Sequence, residues 1–263
     1  MTTKTKIPEM LIAGAMLSIF CISTTHAAQQ GDFSLTTGVD YSAGKYGGTQ
    51  STDILYIPIT GKYEVDRWAF KLTIPYVRIT GPGGVTKDTG VFRATSSAVR
   101  TTASGLGDVV AAATYNVYTS GAVDALLLDL TGKVKFGTAD DAKGLGTGKN
   151  DYAAQVDVYK SVNQFTAFGT LGYKILGSPS GTPLDNVFYG SLGGSYKFTQ
   201  DTSAGMILDL RQKAFASGAP QRELTAFVSH KLDKSWKAQA YVVKGFTDGS
   251  PDLGGGAVIT RAF

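Results

Sequence analysis

Charged residues that recur at every second position are the part of this sequence with the clearest capacity for chemistry. Asp209, Arg211 and Lys213 follow one another in this way, and Asp129 and Lys133 belong to a second such segment. Residues two apart in a β-strand lie on the same face of a sheet. In a closed sheet, charges of both signs on the inner face would either pair with one another or line a polar passage.

The charged residues that we place on this inner face come from most of the alternating segments. They are Lys62, Lys71, Asp108, Asp129, Lys133, Lys135, Asp157, Lys174, Lys197, Asp209, Arg211, Lys213, Glu223, Lys231 and Lys237. Cations outnumber anions in this set, so an open interior would favour anions. A closed network of structural ion pairs is the alternative interpretation.

The types of residue present give little support for a catalytic site or a cofactor-binding site. His230 is the only histidine after residue 27, and it shares its phase with apolar residues, which turns it away from the polar face. The single cysteine, Cys21, lies in the N-terminal segment, so the rest of the chain has no disulfide and no thiolate ligand. We therefore predict no catalytic residue, no metal site and no cofactor. A lipid-modifying enzyme is the enzymatic alternative.

The glycine-rich run from Gly144 to Lys149 superficially resembles a phosphate-binding loop. Such a loop needs a helix directly after it, so that backbone amides converge on the phosphate. Here the residues that follow alternate as a strand does, with Tyr152, Ala154 and Val156 on one face. The run is therefore predicted to be a surface loop.

Period-two alternation of apolar and polar residues is the dominant pattern of the chain. It predicts twelve strands, at about residues 32–42, 52–64, 67–79, 106–118, 122–137, 149–161, 164–176, 186–199, 202–214, 221–232, 235–246 and 254–263. Most are longer than the roughly five or six residues of soluble strands. A tilted strand that crosses a bilayer needs about nine to eleven, so strand length favours a membrane barrel over a soluble exported β-barrel.

Short and long connections alternate along the chain. The short ones fall at residues 65–66, 120–121, 162–163, 200–201 and 233–234, and the long ones at 43–51, 80–105, 138–148, 177–185, 215–220 and 247–253. Outer-membrane barrels have short periplasmic turns and longer external loops. The pattern predicts an even number of strands with both chain ends on the periplasmic side.

The longest connection, 80–105, contains three cations, Lys87, Arg93 and Arg100. A loop of this length could fold into the mouth of a barrel and narrow it, which makes these residues candidates for a constriction. A purely external loop is the alternative.

The N-terminal residues have the composition of a signal peptide. Lys4 and Lys6 precede an apolar stretch from Leu11 to Ile22, and Ala27 offers a small residue for cleavage. We expect a signal peptide over residues 1–27 and a single barrel domain over 28–263. The mild positive charge is spread without a basic block, so no nucleic-acid partner is expected.

The block from residue 104 to about 160 resembles a known family. Ser104-Gly105-Leu106-Gly107-Asp108 opens a strand, and the stretch from Leu130 to Lys135 leads to Gly144-Leu145-Gly146-Thr147-Gly148. These motifs resemble the outer-membrane "transporter" family named for a MetA pathway of phenol degradation. Where that family has Pro-Thr-Gly after the basic strand, this chain has Phe136-Gly137-Thr138. The resemblance implies an outer-membrane barrel that passes small, aromatic or hydrophobic compounds.

Together these patterns predict an all-β protein, a transmembrane antiparallel up-and-down β-barrel of about twelve strands after a cleaved signal peptide. The expected location is the bacterial outer membrane, where its partners would be membrane lipid and a small-molecule solute. The function expected is passive passage of small solutes, with a plugged structural barrel as the main alternative.

Overall fold

A computed structural model of the chain describes residues 31–82, 99–120, 124–179 and 181–263. The expected signal peptide, residues 1–27, lies outside them. Over the described residues the protein consists of antiparallel strands joined by turns and loops. The strands are β1 (Asp32–Gly44), β2 (Thr52–Val65), β3 (Trp68–Gly81), β4 (Thr101–Leu106), β5 (Val110–Thr119), β6 (Leu126–Lys135), β7 (Asp151–Val162), β8 (Phe165–Ile175), β9 (Val187–Lys197), β10 (Thr202–Arg211), β11 (Gln221–Lys231), β12 (Trp236–Gly245) and β13 (Leu253–Ala262).

Except for β4 and β5, which do not pair with each other, each strand pairs with the strands next to it in the chain, and the sheet closes because β1 pairs with both β2 and β13. β4 and β5 share one position in the sheet. β4 pairs with the last six residues of β3, and β5 pairs with its first six. The thirteen strand segments therefore form a barrel with twelve strand positions, which confirms the predicted fold class.

The break between β4 and β5 falls beside Pro75 of β3. Proline has no N–H to donate to a ladder and is confined to interruptions or edges of sheets. The amide of Gly107 donates to the Pro75 carbonyl at 2.8 Å, and Asp108 follows as a buried residue outside either strand. The barrel wall is continuous here, but the regular ladder of backbone hydrogen bonds is replaced by individual hydrogen bonds.

Two predictions about segment bounds are corrected by the structure. The segment 80–105, predicted as one loop, contains the end of β3 and most of β4, because Thr101–Leu106 extends the sheet along Tyr76–Gly81. β10 ends at Arg211, so Lys213 is not a strand residue. It is exposed in the following loop, where its Nζ donates to the Ala216 carbonyl at 2.8 Å.

The outer surface of the barrel is apolar, as the alternation predicts. In β3, Phe70, Leu72 and Ile74 are 43–47% exposed, whereas Ala69, on the opposite face of the strand, is buried. A continuous surface of this kind is typical of a barrel face that contacts lipid. Within the described residues, no helix is long and apolar enough to span a membrane.

Aromatic rings are paired near both ends of the outer surface. At the end with the short turns and the start of β1, Trp68 lies 4.9 Å from Tyr115 and Phe33 lies 5.7 Å from Phe263, measured between ring centroids. At the long-loop end, Tyr173 and Phe188 are 4.8 Å apart. Amphipathic rings in these two belts suit the interfaces of a bilayer.

Candidate functional site

The charged residues assigned to the inner face lie mostly on the buried side of their strands. Asp108, Asp129, Asp157, Glu223 and Lys135 are each at most 4% exposed. Others are half-buried, namely Lys62, Lys71, Lys133, Lys174, Lys197, Asp209 and Arg211. In a closed barrel the buried face is the interior, so the strands bring these groups together inside one enclosure. Whether they line a passage is a question of function.

A buried ion-pair cluster occupies the strand break. The Lys135 ammonium lies 2.7 Å from Asp108 Oδ2 and 3.3 Å from Asp151 Oδ2, and it donates to Thr147 Oγ1 at 3.3 Å. The other oxygen of Asp108 accepts the Ala139 amide at 2.9 Å. We call Asp108, Lys135 and Asp151 the latch, because together they connect β5, β6 and β7 to the loop 136–150.

The loop 136–150 packs into the long-loop end of the barrel. Its Ala139 and Leu145 form one buried cluster with Tyr46, Ile54, Val77 and Ile79. Burial raises the pKa of the Tyr46 phenol, which keeps the ring neutral in this cluster. The prediction of a plain surface loop over 144–149 was therefore incomplete, because Leu145 anchors the loop while Lys143 and Asp140 remain exposed.

The wall formed by β5 to β8 carries a polar network whose members satisfy one another. Asp157 accepts hydrogen bonds from Gln155 at 2.7 and 2.8 Å and from Thr170 at 2.6 Å. Tyr189 donates to Gln155 at 2.9 Å, and Asn116 donates to Asp129 at 2.7 Å. A satisfied network of this kind stabilises and rigidifies its surroundings.

Replacing Thr170 with valine should destabilise the barrel by about 1–3 kcal/mol, since it removes a hydroxyl that donates to a buried carboxylate without changing side-chain shape. Thr37→Val is the matched control, because the Thr37 hydroxyl lies on the exposed face and donates to the Pro58 carbonyl. Urea unfolding in lipid vesicles measures the free energy of unfolding of both variants. Equal free energies of unfolding for the two variants would show that the network contributes nothing.

The wall formed by β9 to β12 differs, because several of its buried polar atoms have no protein partner. Among the described residues these include Ser191 Oγ, Asp209 Oδ2, Thr225 Oγ1, Ser229 Oγ and both side-chain polar atoms of Gln239. Asp209 also lies directly opposite Glu223 in the β10–β11 pair, so two carboxylates face each other. Among the described residues, most of the buried polar atoms without a hydrogen-bond partner therefore lie on this wall, whereas the network of the β5–β8 wall is satisfied by its own hydrogen bonds.

A cluster of apolar side chains lies in the interior, between the two ends of the barrel. Phe168, Ile207, Phe227, Tyr241 and Val243 form one buried cluster, each at most 7% exposed. The rings of Phe168 and Phe227 lie against the wall at Gly193 and Gly205, where a Cβ atom would overlap them. We call this cluster the neck. It separates Asp209 and Glu223 on the long-loop side from Ser229 and Gln239 on the other.

The sequence reasoning missed the neck, Asp151 of the latch and the unsatisfied polar atoms. The apolar residues of the neck share their strand faces with Glu223 and Gln239, so they could have been found by extending the inner phase to apolar residues. Of the constriction candidates, Lys87 and Arg93 lie outside the described residues. Arg100 is exposed at the long-loop end, where it forms an ion pair with Asp53 and donates to the Ser51 carbonyl at 2.6 Å.

His230 is exposed on the outer face, where its Nδ1 lies 2.8 Å from Thr202 Oγ1. This position is the predicted one. Within the described ranges, no group of three or more histidine, cysteine or acidic residues is arranged to hold a metal ion.

Comparison with solved structures finds the same fold in outer-membrane proteins. The COG4313 outer membrane channel from Pseudomonas putida F1 is similar with a TM-score of 0.68 at 15% identity, covering 90% of this chain and 97% of that one. The NanC porin is similar with a TM-score of 0.55 at 10% identity, covering 86% of this chain and 98% of that one. Neither a known protein family nor a curated protein matches the sequence. The resemblance to the phenol-degradation family is not confirmed.

Proposed function

We propose that this chain is an outer-membrane channel through which small solutes pass passively. The observation that carries the proposal is the column of unsatisfied polar atoms along the β9–β12 wall. Buried polar groups are costly unless water or a solute satisfies them. A wall of this kind suits a hydrated path, and the fold shared with a channel and a porin agrees with it.

The other parts of the proposal follow from the barrel's position in a membrane. The N-terminal segment directs export and is removed, both ends of the mature chain lie in the periplasm, and the apolar outer face contacts outer-membrane lipid. Passage is by diffusion, without a cofactor, nucleic acid or catalytic step. An aromatic or hydrophobic solute, which the family resemblance implies, stays a prediction.

A plugged structural barrel is the second candidate, and two observations favour it. The loop 136–150 packs into the long-loop end, and the neck places a cluster of buried apolar side chains in the interior. In the channel interpretation the neck is a hydrophobic gate, which conducts only when its side chains move and water enters.

Planar-bilayer recording separates the two functions. We expect small, discrete conductance steps from the purified protein. In a potassium chloride gradient, the reversal potential should shift toward the equilibrium potential of chloride. Protein unfolded by heat serves as the control for detergent leaks. A barrel that gives no steps and no solute-driven swelling of liposomes would be the plugged one. Altered phospholipid or lipopolysaccharide after incubation would instead support an enzyme.

A further inference from the structure

The short-turn end of the barrel contains a polar pocket on the same wall as the proposed path. It is partly open, with a volume of about 490 Å³ that includes solvent at its mouth, and its lining includes Lys197, Lys231 and Lys237 with a single carboxylate, Asp201. The pocket is therefore cationic overall. The remaining lining residues that matter here are hydroxyl-bearing, among them Ser229 and Thr166.

Two of the lysines are placed against each other by the fold. Lys231 and Lys237 are directly opposite in the β11–β12 pair, on the inner face. The Cβ atoms of such a pair lie about 5 Å apart, and like charges in this position destabilise a sheet. A negatively charged group between the ammonium groups would reverse that effect.

The next row of the sheet supplies Lys197 and three neutral residues that can form hydrogen bonds. Lys197, Ser203, Ser229 and Gln239 are successive register partners across β9 to β12. Ser229 and Gln239 are only 2% and 3% exposed, and their side-chain polar atoms have no partner among the described residues. A buried hydroxyl and a buried amide that have no other partner are suited to donate hydrogen bonds to an oxyanion that the lysines attract.

The row after that is apolar. Phe227 and Tyr241 are register partners in the next inward-facing row, two residues farther from the short-turn end than Ser229 and Gln239. An anion held at the lysine row would thus meet the neck with its opposite end. This favours a solute with one charged and one apolar end.

We infer that this pocket, which we call the lysine pocket, binds small organic carboxylates, with the carboxylate at Lys231, Lys237 and Lys197 and the apolar end toward Phe227 and Tyr241. The inference rests on the proposed function, since it names the solute class of the same channel. The pocket would hold the solute at the periplasmic side of the neck.

Calorimetric titration of the detergent-solubilised protein with benzoate tests the inference. Benzoate should bind, acetate should bind more weakly, and benzyl alcohol, which lacks the charge, should not bind. The variant Lys231→Gln/Lys237→Gln should weaken benzoate binding about tenfold or more, because each lysine contributes a charge-assisted hydrogen bond. Lys234→Gln is the control, since Lys234 is exposed in the adjoining turn. Its loss should leave benzoate binding unchanged.

The outcomes are separable from those of the conductance experiment. Benzoate binding to a barrel that never conducts would support the lysine pocket and overturn the channel. Conductance without benzoate binding, or inorganic phosphate binding as well as benzoate, would overturn the inferred carboxylate class. Retention of the heat-modifiable folded form by the double variant shows that lost binding is not lost folding. Unchanged binding in that variant would overturn the pocket.

Discussion

Replacing Lys135 with methionine is expected to destabilise the barrel by about 3–5 kcal/mol, the cost of leaving buried charges without their partner. Lys135 is 4% exposed and lies between two carboxylates that are themselves buried, Asp108 and Asp151. Methionine keeps most of the side-chain volume but removes the ammonium group. The free energy of unfolding in urea, measured in lipid vesicles, reports the change.

The latch variant should also change the long-loop end. Asp108 orients the loop through the Ala139 amide, and Lys135 reaches Thr147 in the same loop. Without the ammonium group the two carboxylates repel each other, and we expect the loop to become accessible to protease. Lys143→Gln is the matched control, because Lys143 pairs with Asp140 in this loop but both are exposed. Pairs of this kind contribute little to stability.

Two results would contradict this account of the latch. One is a Lys135→Met variant as stable as the parent, which would mean that the two buried carboxylates do not depend on the ammonium group. The other is a strongly destabilised Lys143→Gln variant, which would place the stabilising contact at the loop surface. The variant Lys135→Met/Asp108→Asn distinguishes charge from packing, since removing one repelling carboxylate should restore part of the lost stability.

The strands and their inner faces could be predicted because a transmembrane barrel imposes one rule on every strand. The outward residues must suit lipid, so alternation in a segment such as Phe70–Ile74 identifies both the strand and its orientation. Turn residues add to this. Asp66 and Asn163 adopt positive φ at short turns, as short polar side chains tolerate. The order of the strands around the barrel then follows from the order of the segments in the chain.

The interior could not be predicted in the same way. Phe227 and Tyr241 lie on strands where both faces carry apolar residues, so periodicity does not show that they meet in a neck. Lys135 and Asp151 are register partners of β6 and β7, but the contacts of Lys135 with Asp108 and Thr147 depend on the strand break and on the loop 136–150. The path of that loop depends on packing of Leu145 against β2 and β3. The inner charges were assigned to the correct phase, but which of them satisfy one another depends on three-dimensional neighbours.

Replacing Phe227 with alanine should increase the conductance of the barrel more than any other single change in the neck. Phe227 is 4% exposed and belongs to the buried cluster of the neck, so its loss removes an apolar ring from the interior. An apolar constriction conducts when it is wide enough to stay wet. The expected result is larger conductance steps and more frequent opening in planar bilayers.

The same change should lower stability by about 3–5 kcal/mol, as for other large-to-small substitutions of buried rings. Phe165→Ala is the matched control, because Phe165 is a phenylalanine of β8 that is 49% exposed on the outer face. It should leave the conductance steps unchanged. If folded Phe227→Ala gives the same conductance steps as the parent, the neck is not the barrier and the path does not run through it. The β9–β12 wall then loses its assigned role.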